Sequence, residues 1–332
     1  MKLIGTRISM RPMVRALLAA LSVVLVVGLA GCSSPDEKPA GGLVQINLPD
    51  GRSVTIPQTP TRIVTLGGQW TDVLLSFGVT PVGYYDAMKL ATGTAPPWYG
   101  AKLSESTLLN PNDGLVAEIA KLDPDLIVAP GFASMSSEFA KLSEIAPTID
   151  KISGQQVDPW QDMVTLMGTI LHQPEKAQQI IGKVNQEIAA VSEKHPSLKG
   201  KTYSFAFMFG ADQIQVLGDA NDGAGKLFAQ LGLKIAPALA EQAKKTGQPR
   251  FPISAERIGM LSSDLLVMAA QTDALRKRLE GLPGYRNLRS VRSGAVSLLD
   301  QTEITGLNEP SPNAIPYVLR QLDPALAAAA DD

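Results

Sequence analysis

Cysteine and histidine are almost absent from this sequence. The 332 residues include one cysteine, Cys32, and two histidines, His172 and His195. A single cysteine excludes an intramolecular disulfide. The two histidines lie in a region with no cluster of carboxylates or thiols that would indicate a metal site or a catalytic base. We therefore expect no cofactor and no metal held by the protein alone, so that any metal arrives already chelated.

The motifs of common enzyme classes are also missing. No G-x-S-x-G sequence occurs, so the sequence gives no support for the nucleophilic serine that this motif positions in many acyl-transfer enzymes. Residues 223–227 read GAGKL, but they lack the first glycine and the final Ser or Thr of a phosphate-binding loop. We interpret these glycines as easing the start of a helix, and we predict that the protein is not an enzyme.

Positive charge is scarce outside the amino terminus. Lys2, Arg7, Arg11 and Arg15 are the charged residues among the first 31, which leaves 26 basic against 32 acidic groups in the remainder. This mildly acidic body excludes nucleic acid as a partner, because nucleic acids are bound through clustered cations. The hydrophobic share of 45% is that of a globular protein, and the chain is long enough for two domains.

The amino terminus has the pattern of a secretion signal. The basic residues are followed by an apolar stretch over residues 16–31, which is shorter than the roughly 20 residues of a lasting membrane span. The stretch ends in Leu29-Ala30-Gly31-Cys32, which resembles the lipobox of bacterial lipoproteins. That resemblance implies cleavage before Cys32 and acylation of its sulfur, which would anchor the protein at the outer face of the cytoplasmic membrane. Residues 1–31 are thus predicted to be a signal peptide and residues 32–42 a flexible tether.

The rest of the chain alternates short apolar strands with helices, which indicates an α/β fold. A hairpin is predicted from residues 43–48 and 53–56, on either side of Pro49-Asp50-Gly51. We assign residues 43–158 to an amino-terminal α/β lobe and 199–332 to a carboxyl-terminal one. Buried strands are predicted at residues 62–66, 82–85, 126–129, 202–209 and 265–269.

A long helix is predicted between the lobes, in a connecting region of residues 159–198. A first helix covers residues 160–171, and Pro174 then stands where a first-turn proline belongs. Apolar residues follow at steps of three or four until the helix ends before Pro196, and these are Ala177, Ile180, Ile181, Val184, Ile188 and Val191. The predicted fold is therefore two Rossmann-like α/β lobes joined by one long rigid helix, with a ligand cleft between them.

Several segments, taken in order, resemble the ferric-siderophore and cobalamin binding lipoproteins of ABC importers. The resemblance covers essentially everything after Pro60, and it implies two lobes with a small hinge motion and a shallow cleft. The matching segments are TRIVTL at 61–66, WTDVL at 70–74, FGV at 77–79, LDPDLI at 122–127, LSEIAPT at 142–148, ISAERI at 253–258 and SPNAIPYVL at 311–319.

The same resemblance implies a surface glutamate on each lobe that docks on arginines of the permease. Glu256 matches the position in the second lobe. In the first lobe the expected position falls on Ala117, with Glu118 one residue later. One helical step is a rotation of about 100°, so either Glu118 reaches around or docking differs there; either glutamate could also be a solvated helix residue.

Candidate ligand contacts follow the carboxyl ends of the predicted strands, where parallel α/β lobes bind ligands. Trp70 could stack on a flat chelate or wedge against its own lobe. Arg250, predicted in a polar loop after Gly247, could pair with acidic chelate oxygens or be solvated. The candidates are Gln69, Trp70, Tyr84, Tyr85, Trp98, Tyr99, Phe132, Phe209, Arg250 and Phe251.

The sequence therefore predicts a monomeric substrate-binding lipoprotein that captures a ferric siderophore and delivers it to an ABC permease. Cobalamin or haem is the alternative ligand for the same fold. A lipoprotein that uses the fold for sensing or envelope maintenance is a second alternative, and a lipid-anchored hydrolase is a remote third.

Overall fold

The structure is a computed structural model that describes residues 42–130, 138–155 and 157–332. The predicted signal peptide, residues 32–41 of the predicted tether, the candidate acylation site Cys32 and the candidate ligand contact Phe132 lie outside these residues. In the described part no helix is both long and apolar enough to cross a membrane.

The described chain opens with an antiparallel hairpin of β1 (Val44–Asn47) and β2 (Ser53–Ile56), in which Val44 pairs with Ile56. Gly51 in the turn has φ +85°, a value that favours glycine. The hairpin prediction is confirmed.

The first lobe is built on a parallel sheet with the strand order β5-β4-β3-β6-β7. The central strands are fully buried and mostly apolar, as parallel strands covered on both faces require. The polar Thr65 of β3 is also buried, and its hydroxyl lies 2.8 Å from that of Thr71. The strands are β3 (Ile63–Thr65), β4 (Gly83–Tyr84), β5 (Thr107–Leu108), β6 (Leu126–Val128) and β7 (Thr148–Ile149). Its helices are α1 (Gly68–Ser76), α2 (Ala87–Thr92), α3 (Leu115–Lys121) and α4 (Phe139–Ile145).

The connecting region contains α5 (Trp160–Ile170) and α6 (Pro174–Lys194). Pro174 occupies the first turn of α6, where its missing N–H has no intrahelical partner to lose. The apolar stripe of α6 faces the core through Ala177, Val184 and Ile188. The prediction of one long helix between the two sheets is confirmed.

The second lobe contains a six-stranded mixed sheet with the order β11-β9-β8-β12-β13, in which β10 also pairs with β8. The strands β9 and β11 are antiparallel to their neighbours, so this sheet is not purely parallel. The strands are β8 (Thr202–Gly210), β9 (Gln213–Leu217), β10 (Lys234–Ile235), β11 (Arg250–Ile253), β12 (Leu265–Ala270) and β13 (Val296–Leu299).

Six helices of the second lobe cover its sheet and lead to the carboxyl terminus. The last two lie beside each other and beside β13. They are α7 (Gly223–Gln230), α8 (Pro237–Thr246), α9 (Asp273–Glu280), α10 (Arg289–Ser293), α11 (Gln301–Asn308) and α12 (Ala314–Asp331).

The start of α7 explains the GAGKL segment. The Asp222 carboxylate accepts a hydrogen bond from the Ala224 N–H at 3.1 Å and caps the helix. A Cβ at position 225 would stand 2.6 Å from the Asp219 carbonyl oxygen, so only glycine fits there. The prediction of a glycine-eased helix start is confirmed.

Candidate functional site

A cavity of about 420 Å³ lies at the carboxyl edge of the first sheet. Its first wall follows the ends of β3, β4, β5 and β6, as expected for ligand sites of parallel sheets. The opposite wall is the end of α11 and the residues after it, which belong to the second lobe. The residues that line the cavity include Gly67, Gly68, Gln69, Tyr85, Asp86, Trp98, Tyr99, Pro130, Glu138, Gly306 and Glu309.

Two glycines bring the start of α1 close to its neighbours. A Cβ at Gly67 would lie 3.1 Å from the Pro130 ring, and one at Gly68 would lie 3.3 Å from the Tyr99 hydroxyl. The Tyr99 hydroxyl donates a hydrogen bond to the Gly68 carbonyl at 3.2 Å. The helix start therefore forms the floor of the cavity together with Tyr99.

Trp98 and Tyr99 form an aromatic wall, and Tyr85 adds a third ring to the lining. The rings of Trp98 and Tyr99 meet edge to face, with centroids 6.1 Å apart. Trp98 also packs against Tyr317 of α12 with centroids 5.6 Å apart. A Cβ at Gly306 would lie 3.0 Å from the Trp98 ring, so glycine at this position allows α11 to pack closely against the Trp98 indole.

The charged side chains of the described lining are all acidic. Asp86, Glu138 and Glu309 are present, and no lysine, arginine or histidine occurs among the described lining residues. Asp86 is 4% exposed; its Oδ1 caps α2 by accepting from the Lys89 N–H at 2.8 Å. Its Oδ2 has no well-aligned hydrogen-bond donor among the described residues, although the Tyr99 hydroxyl lies close to this carboxylate and lowers its pKa.

Burial changes the titration of these groups. Loss of solvent raises the pKa of the Asp86 carboxyl, although the Lys89 N–H opposes this by donating to it. Loss of solvent, helped by the charge of Asp86, raises the pKa of Glu309 to about 7. The pKa of the Tyr99 hydroxyl is also raised by burial, then by Asp86. The cavity is therefore a poor environment for added negative charge.

Four of the predicted ligand contacts line the cavity together, namely Gln69, Tyr85, Trp98 and Tyr99. The Gln69 side-chain amide donates a hydrogen bond to the Pro310 carbonyl at 2.8 Å and thereby links α1 to the segment after α11.

Trp70 does not reach the cavity, which corrects its prediction as a stacking residue. Its side chain is 1% exposed, and its indole N–H donates to the Ala129 carbonyl at 3.1 Å within the first lobe. Tyr84 is also absent from the lining and packs in a small apolar cluster with Leu75 and Leu103. Successive residues of an extended chain face opposite sides, so Tyr85, directly after β4, reaches the cavity whereas Tyr84 does not.

Arg250 is committed to an ion pair, which corrects its prediction as a cleft arginine. It lies in β11 rather than in a loop, and its guanidinium donates to both carboxylate oxygens of Asp222 at 2.7 and 2.9 Å. A further bond of 2.6 Å goes to the Asn308 side chain. Phe251 is buried in the core of the second lobe, and Phe209 lies exposed on β8; neither lines the cavity.

Sequence reasoning missed the wall formed by α11 and the contribution of Glu138. The residues of α11 are separated from the first lobe by most of the chain, and only tertiary packing brings them to the cavity. Asp86 could have been found, since an aspartate directly before a helical stretch indicates a cap at the mouth of a strand.

The two predicted docking glutamates differ in their surroundings. Glu256 is exposed in a 3₁₀ helix (Ala255–Leu261). Glu118 lies on α3 and forms an ion pair with Lys121 at 2.6 Å. Ala117, the position implied by the resemblance, is exposed. In the described part of the chain, no group of three or more His, Cys, Asp or Glu side chains could hold a metal ion.

The chain is similar in sequence and fold to known binding proteins. The model of the family described as "Periplasmic binding protein" matches residues 63–303. A Bacillus subtilis protein named "Probable siderophore-binding lipoprotein YfiY" is 26% identical, with 85% of this chain and 88% of that protein covered. The B. subtilis "Fe(3+)-citrate-binding protein YfmC" is 24% identical, over 86% of this chain and 90% of that protein.

A solved structure has the same fold. The periplasmic solute binding protein of Mycobacterium smegmatis superposes with a TM-score of 0.72 at 27% identity, and the match covers 87% of this chain and 99% of that one.

Proposed function

The chain belongs to the periplasmic binding protein family, and from this premise we propose that it captures a ferric siderophore for an ABC importer. The observation that carries the proposal is the cavity of about 420 Å³ between the parallel sheet of the first lobe and α11 of the second. Ligand sites of this size commonly lie between domains and combine apolar walls with a few polar groups. The protein would act by binding and release, without a chemical step.

The chemistry of the cavity supports a chelate rather than a bare ion. Aromatic rings of Tyr85, Trp98 and Tyr99 offer flat apolar surface to an organic ligand. The described residues supply no group of three metal-binding side chains, so the iron would keep its own organic ligands. The names of YfiY and YfmC, which refer to a siderophore and to ferric citrate, point to the same class of cargo.

Tryptophan fluorescence tests this function, because Trp98 lines the cavity whereas Trp70 and Trp160 are buried. We expect iron chelates to quench the emission in a saturable titration, and we expect Trp98→Phe to remove most of the change. Trp160→Phe is the control that should retain it. If hydroxamate, catecholate and citrate chelates of iron, haem and cobalamin all left the emission unchanged, and calorimetry detected no heat, the proposal would fail.

We also propose that Cys32 carries the lipid anchor at the outer face of the cytoplasmic membrane. The lipobox-like Leu29-Ala30-Gly31-Cys32 and the naming of YfiY as a lipoprotein support this. Fatty-acid labelling in cells should mark the wild-type protein but not Cys32→Ser. Equal labelling of both would reject the anchor.

Docking on the permease is proposed for Glu256, with Glu118 as its counterpart on the first lobe. The exposure of Glu256 supports this, whereas the Glu118–Lys121 ion pair competes with an arginine of a partner. Glu256→Ala should preserve chelate affinity but reduce uptake in cells, and Glu118→Ala should reduce uptake less. Unchanged uptake with Glu256→Ala would argue against docking through this residue.

A further inference from the structure

The negative charge of the cavity favours ligands that carry a positive charge. Three carboxylates line it, and no basic side chain occurs among its described lining residues. Residues 131–137, which follow the lining residue Pro130 and are not described, contain no charged residue in the sequence. The sequence between Pro130 and Glu138 therefore adds no basic residue that could offset the three carboxylates.

Nearby cations offset this excess of negative charge only in part: the charge of Lys89 lowers the pKa of Asp86, but burial raises it by more. The Lys89 ammonium, on α2 next to Asp86, donates to the Gly93 carbonyl at 2.7 Å and caps the end of its own helix. Lys102, Lys183 and Arg320 line a separate cavity on the other side of Trp98. Arg250, the arginine of the second lobe predicted to reach the cleft, is held by Asp222 and Asn308.

Asp86 supplies an observation that is independent of the acid count. Its side chain is 4% exposed, yet Oδ2 has no well-aligned donor among the described residues. The Tyr99 hydroxyl lies close enough to lower the pKa of this carboxyl, but that hydroxyl donates to the Gly68 carbonyl. A buried carboxylate oxygen without a donor is unfavourable, and such groups call for a partner. A protonated amine of a ligand would donate a hydrogen bond to Oδ2 and would also compensate the negative charge of the cavity.

On the basis of the proposed function, we infer that the cargo is a ferric chelate with a neutral iron centre and a positively charged amine arm, which the carboxylates of Asp86 and Glu309 receive. Anionic ferric complexes, such as those of citrate or of catecholates, would enter a cavity with like charge and no compensating cation. Charge-assisted hydrogen bonds to an ammonium are the strong class of such contacts.

Two chelates that differ only in this charge provide the test. Ferrioxamine B is a neutral tris-hydroxamate complex with a protonated terminal amine, and acetylation of that amine gives the same complex without the charge. Calorimetric titration should show ferrioxamine B binding about tenfold tighter than its N-acetyl derivative, the effect of one charge-assisted hydrogen bond. Ferric citrate, an anion, should bind more weakly than either.

Two variants test whether the cavity carboxylates cause the preference for the charged chelate. Asp86→Asn keeps an oxygen that can cap α2, and Glu309→Gln keeps the shape of its side chain, so both should fold while the preference for the charged chelate falls towards equality. Glu193→Gln, on an exposed position of α6, is the matched control and should keep the full preference. Circular dichroism verifies that each variant is folded.

The possible results distinguish the preference for a cationic chelate from chelate binding itself. Equal or tighter binding of the N-acetyl derivative, tightest binding of ferric citrate, or an unchanged preference in both cavity variants would overturn the inference and leave chelate binding intact. Binding of none of the three chelates by the folded wild-type protein would overturn the inference and count against the proposed function.

Discussion

At the level of single residues, the carboxylate of Asp72 connects α1, the first helix of the described residues, to α12, the last. It is fully buried on α1, and its oxygens accept hydrogen bonds from the backbone N–H and the side-chain amide of Asn313 at 2.7 and 2.8 Å. Asn313 directly precedes α12, so Asp72 serves the start of that helix from a distant part of the chain. Burial raises the pKa of the Asp72 carboxyl, and the Asn313 donors oppose that shift.

Removing the Asp72 carboxylate should destabilise the protein. We expect Asp72→Ala to lower the free energy of unfolding by about 2 kcal/mol or more, because two buried donors of Asn313 lose their acceptor. Urea denaturation measures the change. Asp72→Asn retains one acceptor of the same shape and should lose much less. An alanine variant with the wild-type midpoint and slope would show that these bonds do not stabilise the fold.

Glu309 predicts a specific pH dependence of stability. Its pKa is raised from the ordinary value of 4.5 to about 7 by burial and by the charge of Asp86. Between these two values the folded protein holds a proton that the unfolded chain releases, so the contribution of this group to stability falls as pH rises from about 4.5 to about 7. Tyr99 and Asp86 are the titratable groups that interact with it, and neither adds positive charge.

Glu309→Gln should therefore reduce the loss of stability across this pH range. The quantity to measure is the difference in unfolding free energy between wild type and variant at several pH values, because Asp72 also has a raised pKa and affects both proteins equally. The glutamine variant should gain relative stability as the pH increases to 7 and beyond. A difference that stays constant with pH would contradict the raised pKa.

At the level of secondary structure, a glycine determines how closely α5 and α6 approach. A Cβ at Gly168 would lie 2.6 Å from the Ala177 Cβ and 3.2 Å from the Gln173 carbonyl oxygen. Both neighbours are fixed, one by the α6 backbone and the other by the turn before it. The tight corner between the two helices therefore requires glycine at this position.

Two alanine variants distinguish this packing effect from helix propensity. Gly168→Ala should lower the free energy of unfolding by about 1–3 kcal/mol through overpacking. Gly182→Ala, inside α6 with no atom within 4 Å of the added Cβ, should raise it by about 0.5–1 kcal/mol through better helix propensity. Chemical denaturation of the two proteins provides the measurement. Stabilisation by both substitutions would mean that the corner can relax.

The elements with clear periodicity could be predicted from the sequence, whereas the antiparallel edge of the second sheet could not. The buried strands β3, β6, β8 and β12 and the amphipathic α6 have continuous or regularly spaced apolar residues. The edge strand β11 contains Pro252, whose exposed position suits a sheet edge but obscures a strand pattern. Because that strand was predicted as a loop, Arg250 was expected at the cleft.

The sequence predicts that the site lies at the ends of the strands, but it does not predict which side chains point into the cavity. Gln69 and Trp70 are neighbours at the start of α1, and one helical step turns the side chain by about 100°. Gln69 therefore lines the cavity while the Trp70 indole packs in the core. Glu309 reaches the cavity only because α11 packs on the first lobe, a contact between segments far apart in the sequence.

At the scale of the molecule, the two sheets share one hydrophobic core. A continuous cluster of buried side chains includes Ile63 and Trp70 of the first lobe, Val184 of the connecting helix, and Phe205 and Leu322 of the second lobe. The buried Asp72–Asn313 hydrogen bonds add a polar link between the same lobes. Separation of the lobes would expose parts of this core. The first lobe also has a smaller apolar cluster of its own, which includes Val64, Ile119 and Ile127, but the largest buried cluster depends on both lobes.

Unfolding should therefore occur in one step, in contrast to many two-lobed chains. We expect differential scanning calorimetry to show a single transition, with a van't Hoff enthalpy close to the calorimetric enthalpy. A chelate that binds the cleft should shift this single transition upward as its concentration increases, because it binds only the folded state. Two resolved transitions, of which the chelate shifts only one, would show that the lobes unfold independently and that the shared core does not couple them.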